Sequence, residues 1–184
     1  MGRCQIRRDD DGKPILHKGL RFSSLRELKD FLQDYSVRHH RPYRVYHSDI
    51  SKRYTVICDR GCAWRVWARA TKDNDWRISR VIEPHTCGTS APSGIHGQLT
   101  AKYLATRITG MVRADPDVSI ATLIEFIFSL TSYRVKYGKA WRAKQRAMEL
   151  LWGDWKEAYG MLPRILIGMQ AANPGLECYP FRNN

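Results

Sequence analysis

The chain has 184 residues, of which 43% are hydrophobic and 11% aromatic, enough for one packed domain of ordinary size or two small ones. Its formal net charge is +13, with 31 Lys and Arg against 18 Asp and Glu. This favours a polyanionic partner, nucleic acid first, over a basic protein without such a partner. No apolar run reaches the length of a transmembrane helix, which excludes a protein that spans a membrane by helices.

Residues 1–19 mix charged side chains with glycine and proline and show no periodicity, which predicts a flexible N-terminal arm. Residues 22–40 then indicate an amphipathic helix. Ser24 can cap its start, with Glu27 as the partner of a capping box. One apolar face recurs at helical spacing and predicts packing on a sheet. It consists of Leu25, Leu28, Phe31, Leu32 and Tyr35.

From Tyr43 the hydrophobic period changes to two, which predicts four short strands over YRVYHS, RYTVIC, WRVWARA and WRISRVI, joined as an antiparallel meander. Alternation along the first strand gives two sets of side chains. They are Arg44, Tyr46 and Ser48 on one side, and Tyr43, Val45 and His47 on the other. Burying Tyr43 and Val45 costs less than burying Arg44. We therefore expect Arg44 and Tyr46 to face away from the helix.

Four potential metal ligands flank the later strands. Cys58 and Cys62 bracket a tight turn after the second strand, and His85 and Cys87 follow the fourth. Two short chelating pairs held apart by a folded insert suit the tetrahedral geometry of zinc. We predict that these four residues bind one Zn²⁺, which would stabilise a sheet too small to be stable alone. The alternative is ordinary cysteines, or a disulfide beside a histidine.

Residues 88–97 are rich in Gly, Ser and Pro, which predicts a linker. Residues 98–153 show only helical patterns and predict three helices. The first ends at the stretch 113–116, Ser119 caps the second, and the third runs roughly over residues 136–152. We expect residues 154–184 to be a further helical segment.

The third of these helices is strongly basic and has no acid before Glu149. Its predicted inner face consists of Ala140, Ala143, Ala147, Leu150 and Leu151. Two helices followed by a basic helix are the order of a helix-turn-helix unit, whose last helix reads a DNA groove. The alternative is a solvated basic helix in a plain bundle. The candidate DNA-binding residues are Lys136, Lys139, Arg142, Lys144, Gln145 and Arg146.

The F-S-S-x-x-E-L-K helix, the four strands and the C-x3-C…H-x-C set resemble the amino-terminal zinc domain of plant Mutator-like transposases. That domain is similar to the WRKY and glial-cells-missing class of zinc fingers, whose first strand lies edge-on in the DNA major groove. By position, the resemblance implies DNA contacts from the first strand, followed by Lys52 and Arg53. The chain lacks the WRKYGQK heptad and has Cys87 where WRKY proteins usually have histidine, so the WRKY target sequence does not carry over.

The segment SYRVKYGKAWRAKQRAMELLWGDWKEAYGMLPRILIGMQAANPG resembles the region that precedes the catalytic core in the same transposases, so the resemblance runs from about Leu20 to Gly175. In that family a ribonuclease-H-like domain with three metal-binding carboxylates follows, and this chain ends before such a domain would begin. Carboxylates for two-metal chemistry need a sheet to hold them, and no strand pattern appears after Val135. We expect no catalysis and no small-molecule substrate.

These features predict an α+β fold. A small four-stranded antiparallel zinc-bound sheet with a packed helix occupies residues 20–87, and an all-α, helix-turn-helix-like domain occupies residues 98–153. By resemblance the chain is nuclear, binds double-stranded DNA at the terminal inverted repeats of a transposon, and joins a homo-oligomer in a transposase assembly.

Two alternatives to this function stay open. The first is a transposase-derived transcription regulator that binds promoters. The second is a protein-interaction module that touches DNA only loosely. Salt dependence and competition by random DNA separate specific readers from a loose basic surface.

Overall fold

The fold is that of a computed structural model, which describes residues 7–73, 75–88, 96–173 and 175. These residues form five strands and five helices, which confirms the α+β class. The strands are β1 (Arg21–Phe22), β2 (Tyr43–Asp49), β3 (Arg53–Cys58), β4 (Arg65–Ala70) and β5 (Trp76–Ile82). The helices are α1 (Leu25–Arg38), α2 (Ala101–Ala114), α3 (Ile120–Thr131), α4 (Tyr137–Trp152) and α5 (Trp155–Ala172).

Helix α1 begins where the capping signal predicts. Ser24 is its N-cap, and its side chain accepts a hydrogen bond from the backbone N–H of Glu27 at 3.2 Å. The Glu27 carboxylate accepts from the backbone N–H of Ser23 at 2.7 Å, rather than from that of Ser24. The reciprocal bond of the capping box is therefore present but displaced by one residue.

The strands form one antiparallel sheet in the order β1-β5-β4-β3-β2. Strands β2 to β5 are the predicted meander, and each pairs with the next. The predicted number of four strands is wrong by one, because β1 pairs with β5 and places Phe22 opposite Trp76. Two residues are too few to show a period of two. The strand is held by burial of Phe22, whose ring centroid lies 5.2 Å from that of Phe31.

The first core lies between α1 and one side of the sheet. Leu28 and Leu32 of α1 are fully buried against the aromatic and branched residues of the strands. Leu16, in the predicted N-terminal arm, also lies in this core, and Arg8 forms an isolated antiparallel bridge with Pro14. The described part of the arm is therefore in contact with the sheet unit. Residues 1–6 lie outside the described residues.

Strand β2 is irregular between Val45 and His47, where its pairing with β3 shifts. Tyr46 is the extra residue, so the alternation of side chains changes at this bulge. His47 pairs with Thr55 and lies on the same side of the sheet as Tyr46, because both line one cavity. The bulge could not be predicted from the period of two.

The bulge also corrects the predicted sides of β2. Arg44 and Tyr46 are exposed, as expected. Ser48, predicted to share their side, instead pairs with the core residue Tyr54 and therefore lies on the α1 side of the sheet. Val45 pairs with the core residue Val56 and so lies on the α1 side as expected, but it is 50% exposed because β2 is the edge strand. His47, predicted to share the side of Val45, instead lies on the side of Tyr46.

Helices α2, α3 and α4 enclose a second core. Three small residues of α4, Ala140, Ala143 and Ala147, are fully buried there, as the sequence predicts. Leu150, which we placed on the same inner face, is exposed in the last turn. Alanines on the inner face allow α4 to pack closely against its neighbours.

The two cores meet at the end of α1. Val37 is fully buried in the second core, and the side chain of Gln98 donates a 2.7 Å hydrogen bond to the carbonyl of Tyr43. Most of the predicted linker, residues 89–95, lies outside the described residues. His96, near its end, is 3% exposed. Helix α1 thus contacts both halves of the fold.

Helix α5 falls within the segment 154–184 that we expected to be helical, and residues 174 and 176–184 lie outside the described residues. Pro163 lies inside this helix. Among the described helices, none is both long and apolar enough to cross a membrane.

Candidate metal centre and nucleic-acid interface

The four predicted ligands converge at one end of the sheet. Cys58 is the last residue of β3, and Cys62 lies in the turn that follows. Gly61 in this turn has a φ of 80°, a conformation that favours glycine. The turn is closed by a 3.1 Å hydrogen bond from the Cys58 N–H to the Trp64 carbonyl. The second pair of ligands follows β5, which is antiparallel to β4 and returns the chain to this end.

The ligand atoms lie close enough together to bind one metal ion. All four lie within 4.8 Å of one another. The Sγ atoms of Cys58 and Cys87 are 3.6 Å apart, and Nδ1 of His85 is 3.3 Å from Sγ of Cys62 and 3.7 Å from Sγ of Cys87. Zn–S and Zn–N bonds of ordinary length imply ligand separations of about 3.5 to 3.8 Å. The geometry can therefore hold one metal ion.

The imidazole of His85 is fixed by stacking. Its ring lies 4.5 Å from the ring of Trp64 at an interplanar angle of 14°. Trp64 stacks in turn on Tyr35 at 6.1 Å and 8°, and the Tyr35 hydroxyl donates to the Glu83 carboxylate at 3.0 Å. This aromatic stack turns Nδ1 of His85 toward the thiols without a hydrogen bond to its other nitrogen.

The surroundings of the cluster shift the pKa values of Cys58, Cys62 and His85. Burial raises the pKa of the Cys58 thiol to about 11. Burial also opposes ionisation of Cys62, but hydrogen bonds from the N–H groups of Trp64 and Thr86, together with those from the neighbouring thiols, lower the pKa of the Cys62 thiol to about 7. Burial, helped by Arg41, lowers the pKa of His85 to about 4. His85 is therefore neutral at pH 7, as a metal ligand must be.

A second candidate site is the side of the sheet away from α1, here called the outer face. Tyr54, Ala68 and Ile78 lie in the core under α1. Successive side chains of a strand point to opposite sides, so the residues beside these three along each strand belong to the outer face. This face carries most of the arginines of the strands.

Register places four arginines in one row across the outer face. Arg53 pairs with Arg69, Arg69 with Arg77, and Arg77 with Arg21. All four are exposed. Among the described residues, no ion pair includes any of them. The row ends at Asp49, which pairs with Arg53 in the register and whose carboxylate accepts from the N–H and hydroxyl of Ser51.

Beside this arginine row, cations and aromatic rings alternate across the outer face. The guanidinium of Arg65 lies 5.0 Å from the ring centroid of Tyr46 and 5.3 Å from that of Trp67, and Arg80 lies 5.0 Å from Trp67. Such contacts hold a guanidinium in place while its N–H groups stay available. A cavity of about 440 Å³ opens here, lined by Tyr46, His47, Arg53, Thr55, Trp67, Ala68 and Arg69.

The predicted DNA-binding residues of the sheet lie on β2, in the turn after it and at the start of β3. Arg44, Tyr46, Ser48, Lys52 and Arg53 are all exposed. Tyr46 is 64% exposed although it contacts Arg65. The structure brings Arg53 into the arginine row, a relationship that the sequence did not indicate.

The candidate DNA-binding residues on α4 differ in their exposure and in their contacts with the rest of the fold. Lys136, Arg142 and Arg146 are exposed, and Lys139 and Gln145 are half-buried. The ammonium of Lys144 donates a 2.8 Å hydrogen bond to the carbonyl of Val118, so it is already engaged within the fold. These residues lie on a different element from those of β2.

Sequence reasoning missed the outer-face arginines Arg21, Arg65, Arg69, Arg77 and Arg80. Alternation in RVWARA was a signal that Arg65 and Arg69 share one side of β4. In WRISRVI, Arg77 and Arg80 are three residues apart and share a side only because the pairing of β5 with β4 shifts between them. Alternation could not show that the strands align their arginines, because alignment depends on register.

Residues 14–78 match the family model described as MuDR family transposase. The match spans β1, α1 and most of the sheet. It includes Cys58 and Cys62 and stops before His85 and Cys87. The match supports a DNA-binding role for this part of the chain.

Among solved structures, similarity extends to one titled "Crystal structure of AFT2 in complex with DNA", at 18% identity and a TM-score of 0.38. The alignment covers 60% of this chain and 86% of that one. No curated protein matches the chain.

Proposed function

We propose that the chain is the sequence-specific DNA-binding region of a Mutator-like transposase of the plant type, and that it recognises transposon terminal inverted repeats in the nucleus. The observation that carries this is the match of residues 14–78 to MuDR family transposases. The net charge of +13 supports a nucleic-acid partner. The chain is non-catalytic in this proposal, and its sheet unit is a zinc domain of the WRKY and glial-cells-missing kind.

Zinc is the metal that we propose for the cluster. Three thiols and one imidazole form a Cys₃His set, which is a structural zinc site in many small domains. The ion would join the end of β3 to the segment that follows β5. Because such a site rarely exists in the unfolded chain, the free energy of metal binding adds to the free energy of folding.

For the DNA contact, we propose that β2 enters the major groove by its free edge. The groove is wide enough for a β element, and β2 is at the edge of the sheet. In this arrangement Arg44 and Tyr46 approach bases, Ser48 contacts the DNA from the opposite side of the strand, and Lys52 and Arg53 lie near phosphates. The exposed ends of arginine and lysine suit these roles.

We propose a second contact from α4, in the manner of a helix-turn-helix unit. Arg142 and Arg146 are the best placed because they are exposed, and Lys136, Lys139 and Gln145 flank them. Lys144 is the weakest candidate because its ammonium bonds to Val118. A homo-oligomer would suit binding to inverted repeats, since DNA sites with two-fold symmetry are bound by proteins with two-fold symmetry.

The test is selection of duplexes from a random DNA pool by the zinc-loaded full chain, followed by competition at rising salt. We expect one recovered sequence that occurs at transposon ends and outcompetes random DNA when salt is raised. A selected sequence found at promoters instead would assign the transcription-regulator function. Binding that shows no preference and disappears with salt would identify a loosely contacting interaction module.

A further inference from the structure

Rows of like charge within a sheet are unusual because they oppose folding. Like charges directly opposite each other on neighbouring strands are destabilising. In this protein Arg53, Arg69, Arg77 and Arg21 are opposite one another across four strands. No ion pair among the described residues neutralises them. A polyanion lying along the row would remove this repulsion.

The dimensions of the row suit a phosphodiester backbone. Neighbouring strands are about 4.8 Å apart, so the four arginines span about 14 Å. One strand of B-DNA carries a charge for about every 3.4 Å of helix axis. Four phosphates of one strand thus occupy about 14 Å of helix axis, so the row is long enough to contact several phosphates of a backbone that crosses the strands of the sheet.

The surroundings of the row point to the same ligand. Tyr46 and Trp67 hold the neighbouring guanidinium of Arg65 between their rings, which fixes a further cation beside the row. Arg53, at one end of the row, lies on β3 next to β2. The row thus starts beside the strand that we place in the groove and leads away from it across the outer face.

We infer that the arginine row binds the phosphodiester backbone of a nucleic acid, and that Arg69 and Arg77 are its central contacts. This rests on the proposed DNA-binding function, which it extends to a surface that neither the β2 edge nor α4 provides. Phosphates of a duplex and of an unpaired strand offer the same chemistry.

The test compares two double variants of the zinc-loaded full chain, Arg69→Gln/Arg77→Gln and the control Arg26→Gln/Arg113→Gln. Both lose two positive charges at exposed positions, but Arg26 is on α1 and Arg113 on α2. Affinity for a labelled duplex and for its single strand is measured over a range of salt concentrations. Thermal melting of each variant is measured in parallel.

We expect Arg69→Gln/Arg77→Gln to flatten the salt slope by about 2 and to weaken binding about fivefold or more, while the control changes both much less. Melting should occur at the wild-type temperature or above, because repulsion is removed. Loss on both DNA forms supports a shared backbone contact, and loss on the single strand alone assigns the row to unpaired DNA.

Equal effects of the two variants would overturn the inference, since net charge alone would then explain them. Should Arg69→Gln/Arg77→Gln fail to fold, the single variant Arg77→Gln, compared with Arg26→Gln, tests the same contact with an expected slope change of about 1. A wild-type chain that binds neither DNA form would instead refute the proposed function itself.

Discussion

The hydroxyl of Tyr103 in α2 donates a hydrogen bond of 2.9 Å to Oδ1 of Asp34 in α1. Arg107 donates to the same oxygen at 2.6 Å and Arg38 at 3.1 Å. Asp34 is 6% exposed. Burial, with the nearby Asp34 carboxylate, raises the pKa of Tyr103 to about 12, which keeps the phenol a donor. One buried carboxylate therefore joins the sheet half of the fold to the helical half.

Substitution Asp34→Asn should destabilise the protein by about 2 to 3 kcal/mol, because it leaves Arg38 and Arg107 without their charged partner. Tyr103→Phe, which removes one hydrogen bond and keeps the charges, should cost about 1 kcal/mol. Urea unfolding at pH 7 measures both. Equal losses for the two variants would show that the carboxylate charge is not what holds the halves together.

Metal removal should unfold the sheet half. We expect about one equivalent of zinc per folded chain and a lower melting temperature after chelation. Cys62→Ser should reproduce this loss, whereas Cys4→Ser, outside the ligand set, should not. Metal analysis and thermal melting measure these effects. A melting curve unchanged by chelation and by Cys62→Ser would refute a structural metal site.

Two substitutions at the β2 edge should have different consequences for DNA recognition. Arg44→Ala should change which sequence is preferred, because Arg44 is proposed to approach bases. Lys52→Ala should weaken binding to all sequences alike and flatten the salt slope by about 1. Selection from a random pool and salt titration separate the two. If the outcomes are exchanged, the wrong edge of the sheet unit has been placed in the groove.

Helix α4 offers a matched pair of cations. Arg142→Met should weaken DNA binding about threefold or more with little change in stability, because its side chain is exposed. Lys144→Met should lower stability by about 1 kcal/mol, because it removes the bond to the Val118 carbonyl. Affinity measurements and urea unfolding are made on each variant. Binding unaffected by Arg142→Met would leave α4 as a packing helix.

His96 should make the fold sensitive to acid. Its Nε2 lies 3.2 Å from the Ser36 carbonyl, and its Nδ1 accepts from the Gln98 N–H at 3.3 Å, an arrangement that needs a neutral ring. Burial lowers its pKa from 6.5 to about 4 despite the bond to Ser36. The unfolded state therefore binds more protons below pH 6.5, and up to about 3 kcal/mol of stability is lost as pH falls to 4.

Unfolding curves of wild type and His96→Gln between pH 7 and 4 test this. The stability difference between the two proteins should shrink as the pH falls, since glutamine does not titrate. Protonation of the cysteine thiols at the candidate metal site should change the stability of both proteins equally, so this effect cancels in the comparison. Parallel loss in the two proteins would assign the acid sensitivity to other groups.

The sequence predicted features that depend on local signals. Ser24 and Glu27 located the start of α1, alternation located the meander, and the spacing of Cys58, Cys62, His85 and Cys87 identified a cluster that the structure brings within 4.8 Å. Each signal lies within a few residues, or within two short chelating pairs. Such patterns can be recognised in the sequence because the spacing of the residues largely determines their relative positions in the fold.

Features that depend on pairing between distant segments were not predicted. Strand β1 is too short for a periodic signal, and it forms because its backbone pairs with that of β5. The bulge at Tyr46 moves Ser48 to the other side of the sheet. The row from Arg53 to Arg21 needs the register of four strands, and one residue of slip would have scattered it.

The irregularity in β2 has a consequence for solubility. A free edge strand presents unpaired N–H and C=O groups that invite another sheet to add on. In β2 the extra residue Tyr46 interrupts that ladder, and a bulge increases the local twist of the edge. A strand from a second molecule could not pair along the full length of β2. The protein can therefore leave Val45 and Tyr46 exposed at this edge without offering a template for fibre growth.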